Sequence, residues 1–246
     1  MSVLAIETSC DRLGVAIVDD VRVLASYAVL AERPHAVELP NALTRVLDAA
    51  GRRFADVEGV AIDIGPGSFT GLRIGLAFVK ALLYHTERPL VAVPSLDVLA
   101  ANARFAAEAI CPIIDAKQRK VYAGLFHAQQ GRLRRDADYL LVPVEELVAM
   151  LRERLQPDER VIFLGDGAGR YGEAITAALG PRAVLATPDV WLPDAAALGR
   201  LGLERLRQGA RDNPRDLVPM YLHPMDCSVR PSDRPPTAPR HASKKS

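Results

Sequence analysis

Asp63-Ile-Gly-Pro-Gly-Ser-Phe-Thr-Gly-Leu-Arg-Ile-Gly75 decides the reading of this chain, because an apolar strand passes through a Gly-Pro-Gly turn directly into a long helix. Gly65 and Gly67 permit positive φ and close backbone approach, and Ser68 or Thr70 can cap the helix that follows. A helix N-terminus aims backbone N–H groups at one point and favours an anion there. The motif is neither a Walker loop nor a dinucleotide fingerprint. On physics alone an anion cradle and a plain strand-to-helix turn stand level.

Working outward, residues 3–8, 13–18 and 21–30 are short apolar runs separated by polar turns and read as a strand meander. Residues 35–50 carry Val37, Leu39, Leu43, Val46, Leu47 and Ala50 at helical spacing, with Pro40 near the start and Gly51 at the end. Residues 57–64 return to a strand, residues 70–84 form the helix after the motif, and residues 90–93 another strand. This alternation predicts α/β layering, with mixed sheets flanked by helices. A second cycle starts near Ile110. Ile113-Ile114-Asp115 leads through a polar turn to a strand over 121–126, then a strand near 139–142, a helix near 144–155 and a strand at 161–164. Both cycles open with an apolar strand ending in a carboxylate, Glu7 or Asp115, which reads as a two-lobe internal repeat. Residues 194–208 read as a helix capped by Asp194. The expected organisation is a first lobe over 1–106, a second over 107–228, and a disordered basic, Pro-rich tail over 229–246.

The 246 residues are 49% hydrophobic and 25% charged, so the chain can bury a real core, and a net charge of +1 gives no global pull toward nucleic acid or membrane. Cys10, Cys111 and Cys227 are odd in number and widely spaced, which argues against a disulfide framework or a zinc knuckle. With no signal-like or spanning segment, the expectation is a cytoplasmic, non-membrane protein. The five histidines show no metal-ligand spacing, so no metal site is expected. Ser9, Cys10, Ser68 and Thr70 lack a histidine placed to activate them, so no catalytic residue is assigned.

Ile6-Glu7-Thr8-Ser9-Cys10-Asp11, the Gly65–Gly75 block and Pro94-Ser95-Leu96 resemble the bacterial TsaB family, with weaker echoes at Asp115, at Gly165-Asp166-Gly167-Ala168 and at Pro219-Met220-Tyr221-Leu222. The resemblance runs from Met1 to about Pro224. It implies an actin-like (ASKHA, ribonuclease H-like) two-lobe fold and a non-catalytic subunit that binds and activates a TsaD-type transferase forming threonylcarbamoyladenosine beside the tRNA anticodon. It further implies a TsaE-type ATPase in the larger complex, a homodimer in isolation, and tRNA met indirectly. No cofactor is expected on this chain alone, with ATP or ADP in the assembled complex. TsaD-like relatives carry two histidines four apart on the first-lobe helix; this chain reads His35-Ala36-Val37-Glu38-Leu39, and the second position is leucine.

Two site assignments follow. Glu7, Thr8, Ser9, Gly65, Gly67, Ser68 and Arg73 are candidate nucleotide or anion contacts, although the turn after Asp115, Ala-Lys-Gln-Arg-Lys, has no glycine and leaves a two-sided phosphate clamp incomplete. His35, Leu39, Leu43, Val46, Leu47, Gly71, Leu72, Ile74, Gly75, Phe78, Val79 and Leu82 are candidate partner-interface residues on the two first-lobe helices. Here the Gly71/Gly75 pair acts as a notch for a partner helix. On that reading Gly75→Arg leaves the monomer folded and abolishes partner binding. Competing readings are a free-standing actin-like ATPase or small-molecule kinase and a metallopeptidase, and neither has its full set of reacting groups in the sequence.

Overall fold

The computed structural model describes residues 1–30 and 35–220; the segment 229–246, expected to be disordered, lies outside them. The first sheet is built from β1 (Val3–Glu7), β2 (Arg12–Val18) and β3 (Val23–Leu30) as an antiparallel meander, with β4 (Gly59–Asp63) and β5 (Leu90–Val93) added parallel to β1, in the order β3-β2-β1-β4-β5. Helix α1 (His35–Ala50) leads into β4, and α2 (Phe69–Leu83) connects β4 to β5. Every residue of β1 is buried, which is why it reads as a continuous apolar run instead of an alternating one. Leu4 and Ile6 pack under Leu39, Leu43 and Val46 of α1 and Leu76 and Val79 of α2. Val3 and Ala5, on the opposite face, pack under α6 (Ala195–Arg207) through Leu198, Leu203 and Leu206. The Asp194 carboxylate caps α6, accepting from the N–H groups of Ala196 and Ala197 at 2.9 and 3.0 Å.

The second sheet repeats that plan. After α3 (Ser95–Asn102) come β6 (Ala109–Asp115), β7 (Lys120–Ala123), β8 (Phe126–Gln129), β9 (Arg132–Arg135), β10 (Leu140–Pro143), α4 (Val144–Arg154), β11 (Val161–Leu164), α5 (Asp166–Leu179) and β12 (Ala183–Leu185). The order β10-β7-β6-β11-β12 has antiparallel pairing on one side of β6 and parallel pairing on the other, matching β3-β2-β1-β4-β5 strand for strand. The β8–β9 hairpin is an addition on β6. Helices α4 and α5 cover one face through Leu147, Leu151, Ile175 and Leu179, and α3 lies on the other, between the sheets and against α6.

Three expectations change. The strand expected over 121–126 is two strands, because Pro112 on β6 has no N–H to give the ladder and the chain breaks pairing at Gly124, whose own N–H reaches the Pro112 carbonyl at 3.3 Å. Helices α3 and α5 arise where no helix was read, since small residues (Ala100, Ala101, Gly167, Ala168, Gly172) face the packed side and weaken the hydrophobic period. The segment after α6 closes the edge of β5: Asp212 N–H donates to Leu90 O at 2.8 Å and Met220 N–H to Ile64 O at 2.7 Å.

Candidate functional site

Strands β1 and β4 run parallel with Ile6 beside Ile62, so the carboxyls of Glu7 and Asp63 come out side by side at their ends, both fully buried. Asp63 Oδ1 accepts from Gly65 N–H at 2.7 Å and from Ser95 Oγ at 2.5 Å, and Glu7 Oε1 accepts from Ser9 N–H at 2.6 Å. Burial, then the neighbouring Asp63 charge, hold Glu7 well above the ordinary carboxyl range. Burial also raises Asp63, against the hydrogen bonds from Glu7, Ser95 and Gly65. Two neighbouring buried carboxyls resist ionising together, and among the described residues Glu7 Oε2 and Asp63 Oδ2 have no hydrogen-bond partner.

The Gly65–Gly75 block seals this pair. Gly65 has φ +100° and precedes a cis Pro66. A Cβ on Gly67 would run into Ser9 O, one on Gly71 into Thr8 O, and one on Gly75 into Thr8 Oγ1. Ser68 N–H donates to Ser9 O at 2.6 Å, and Ser68 Oγ caps α2 by accepting from Gly71 N–H at 3.2 Å. The three glycines are therefore filled by the Thr8-Ser9 turn of their own lobe. This corrects the reading of Gly71 and Gly75 as a notch for a partner helix, and of Gly75→Arg as harmless to the fold, because no side chain fits there. It also corrects Glu7, Thr8 and Gly65 as anion contacts, since Glu7 and Thr8 are buried beneath the block and Gly65 is buried within it. Ser9 is only 3% exposed, though it still reaches the cleft wall with Gly67 and Ser68. Arg73 is stacked 3.7 Å above the Phe69 ring and does not line the cleft.

The cleft between the lobes has a volume of about 450 Å³ and is walled by the 9–11 turn, Gly67-Ser68, Asp115, Lys117, Asp166 and Trp191-Pro193. Its second turn is closed by charge instead of packing. Asp115 accepts from Lys117 N–H and Nζ, both at 3.0 Å, from Tyr171 Oη at 3.0 Å and from Arg170 at 3.2 Å. Burial raises this carboxyl, but those donors outweigh it and the net shift is downward. Lys117, Gln118 and Arg119 all take positive φ without being glycine, and the turn is held by these bonds. Asp166 accepts from Asp115 N–H at 2.9 Å and is raised by burial. Cys10, also on the wall, is pushed up to about 12 by burial and by Glu7, so its thiol is no nucleophile at neutral pH. No group of three or more metal-ligating side chains occurs among the described residues.

The candidate interface residues separate by burial. Leu39, Leu43, Val46, Leu72 and Val79 belong to the first-lobe core and are corrected from surface to core. His35, Leu47, Ile74, Phe78 and Leu82 are half-buried along the outer side of α1 and α2. They are joined by exposed residues that the sequence reading missed: Val37, Phe69, Ala77, Ala81 and Tyr84. The spacing 74, 77, 78, 81 and 82 carried the signal, but the apolar residues on every side of α2 hid which stripe faced out.

A family model described as TsaD, tRNA N6-adenosine threonylcarbamoyltransferase, matches residues 28–224. The chain is 32% identical to the tRNA threonylcarbamoyladenosine biosynthesis protein TsaB of Bacillus subtilis over 90% of its own length and 94% of that protein's. It is 26% identical to the protein of the same name from Escherichia coli, again covering 90% and 94%. Among solved structures, a Pseudomonas aeruginosa protein described as uncharacterized with similarity to peptidase YeaZ superposes with a TM-score of 0.76 at 30% identity, covering 90% of this chain and 99% of that one. The component A of (R)-2-hydroxyglutaryl-CoA dehydratase from Acidaminococcus fermentans superposes with a TM-score of 0.50 at 13% identity, covering 84% and 99%, a likeness of fold alone. Together with the duplicated strand order, these make the fold actin-like.

Proposed function

We propose, from the premise that this chain belongs to the TsaB family of tRNA threonylcarbamoyladenosine biosynthesis proteins, that it is the non-catalytic subunit that binds and activates a TsaD-type transferase. The observation that carries the reading is the filled glycine block. The residues that would cradle a phosphate are packed on Thr8 and Ser9, and the carboxyl that would face a metal or phosphate is shut in with Asp63. What the first lobe offers outward is an apolar ridge along α1 and α2, centred on Ile74, Ala77, Phe78 and Leu82, suited to a helix pair from a transferase or from a second copy. A TsaE-type ATPase joins the larger assembly, and ATP or ADP is met there. No described helix is long and apolar enough to cross a membrane, and a tRNA-modifying role puts the chain in the cytoplasm.

Two measurements test this. Depleting the protein should lower threonylcarbamoyladenosine in tRNA, and adding the purified chain to a purified TsaD-type transferase should restore its activity. The absence of both the loss and the rescue would refute the reading.

A further inference from the structure

Far from the cleft, at the opposite end of the first sheet, a groove of about 380 Å³ opens where α6, the end of α3, the β2–β3 turn and the β8–β9 turn meet. Arg104, Arg132 and Arg200 line it. Among the described residues none of these three guanidinium groups has an ion pair or hydrogen bond, whereas Arg207 beside them is neutralised by Asp20. The groove's carboxylates offset this charge only in part: Asp19 accepts from the N–H groups of Val21 and Arg22 at 2.9 and 2.8 Å, Asp20 pairs with Arg207, and Glu204 attracts Arg104, which leaves four arginines against three acids. Arg104 and Arg200 are both half-buried and close enough to repel, which a fold tolerates at a site where an anion supplies the missing charge.

Next to the groove Phe105 stands 80% exposed, with Arg104 4.8 Å above its ring and the Gly131 turn packed on its edge. Strand β9, Arg132-Leu133-Arg134-Arg135, is the outer edge of the hairpin and, among the described residues, pairs only with β8. Arginines forked for phosphate beside an exposed ring that can take an unpaired base match the chemistry of single-stranded or looped RNA. The α6 face is opposite the α1–α2 ridge, so both can be occupied at once.

We propose that the Arg104–Arg132–Arg200 groove binds the phosphodiester backbone of RNA, with Phe105 as a stacking platform. The choice of RNA among polyanions rests on the tRNA-modification reading above. The test is fluorescence anisotropy of a labelled tRNA transcript with the full chain across 50–200 mM salt. It compares wild type, the triple variant Arg104→Gln/Arg132→Gln/Arg200→Gln, and a charge-matched control, Arg52→Gln/Arg154→Gln/Arg215→Gln, on other surfaces.

The groove variant is expected to lose about tenfold or more in affinity and to lower the slope of log K against log salt by about 2 to 3, one unit for each lost phosphate contact. The control should match wild type. Equal losses in both variants, no tRNA binding by wild type at 50 mM salt, or competition by inorganic phosphate at a site that ignores tRNA would each overturn the proposal. Co-purification with the transferase is read separately: its loss in wild type would count against the subunit reading and not against the groove.

Discussion

Gly75→Ala, made with and without Thr8→Ala, isolates the contact that seals the first turn. In an exposed helix, alanine in place of glycine would gain about 1 kcal/mol. At Gly75 the new Cβ instead falls roughly 1 Å inside van der Waals contact with Thr8 Oγ1, an overpacking that costs about 1–3 kcal/mol. Thr8 is fully buried and β-branched, so rotating it exchanges the hydroxyl for a methyl and gives no relief. The net expectation for the single variant lies between no change and a loss of about 2 kcal/mol, or a fall in Tm of up to about 8 °C for a chain of this size. Thr8→Ala alone removes a hydroxyl that has no partner among the described residues and a buried methyl worth about 0.8 kcal/mol. In that background the methyl introduced by Gly75→Ala meets Ile62 Cδ1 and the residue-8 Cβ at 3.4 Å, ordinary contact, and the helical gain should emerge. Thermal and urea unfolding of all four proteins should therefore give a coupling of about 1–3 kcal/mol, the size of the relieved overpacking, with Gly75→Ala changing from neutral or harmful to stabilising. A coupling below about 0.5 kcal/mol would show that Thr8 does not fill the glycine notch.

Further outcomes can be checked in the same preparations. Ala77→Glu with Ala81→Glu, both exposed on the outer side of α2, should abolish co-purification with a TsaD-type transferase while leaving Tm within about 2 °C of wild type, as surface changes usually do; retained co-purification would move the interface elsewhere. His127 bridges Asp136 and Glu159, with Arg134 on the far side of Asp136 and Arg182 near Glu159; burial lowers its pKa, but the two carboxylates raise it further. Because the folded pKa is the higher one, the bridge's contribution is full below the unfolded value near 6.5 and is lost as pH rises through the folded value. The Tm gap between wild type and His127→Gln should accordingly narrow from about pH 6 to about pH 9, and a constant gap would show that the bridge does not titrate. Glu7 stays protonated in the fold while the unfolded carboxyl ionises above about pH 4.5, so wild-type stability should fall with pH above that point. Glu7→Gln keeps a neutral donor toward Asp63 and should flatten that slope; an unchanged slope would mean the pair holds no extra proton.

The first lobe was legible because its signals are local. Buried strands showed as apolar runs, the α1 stripe followed the helical period, and Gly-Pro-Gly marked where β4 hands over to α2. Even the internal repeat could be read from two strands ending in Glu7 and Asp115, and the matching sheet orders bear it out. What the glycines touch was not legible. Gly71 and Gly75 carry no side chain to announce a partner, and Thr8 lies more than sixty residues away in sequence. Likewise Asp63 looked like the end of a strand until the parallel register set it beside Glu7. The helices α3 and α5 escaped because alanine and glycine on a packed face erase the contrast that periodicity depends on.

The two turns of the duplicated fold are closed by different physics, and that difference constrains how the cleft between them can act. On the first side the lock is steric and involves groups that ionise only by breaking a buried pair, so salt should leave it unchanged. On the second side the nearly buried Asp115 is held by Tyr171 and by the exposed cations Lys117 and Arg170, so screening should loosen the outer part of that lock. The cleft wall then carries Asp11, Asp115 and Asp166 against Lys117, a balance that repels a bare phosphate. A nucleotide entering this cleft would need cations brought by something else. Among the described residues, arginines without a carboxylate partner gather instead at Arg104, Arg132 and Arg200, at the other end of the sheet. On the proposed reading, both turns of the duplicated fold serve to hold their own lobes in shape, and the α1–α2 ridge and the arginine groove, on opposite faces of one sheet, are the surfaces offered to other molecules.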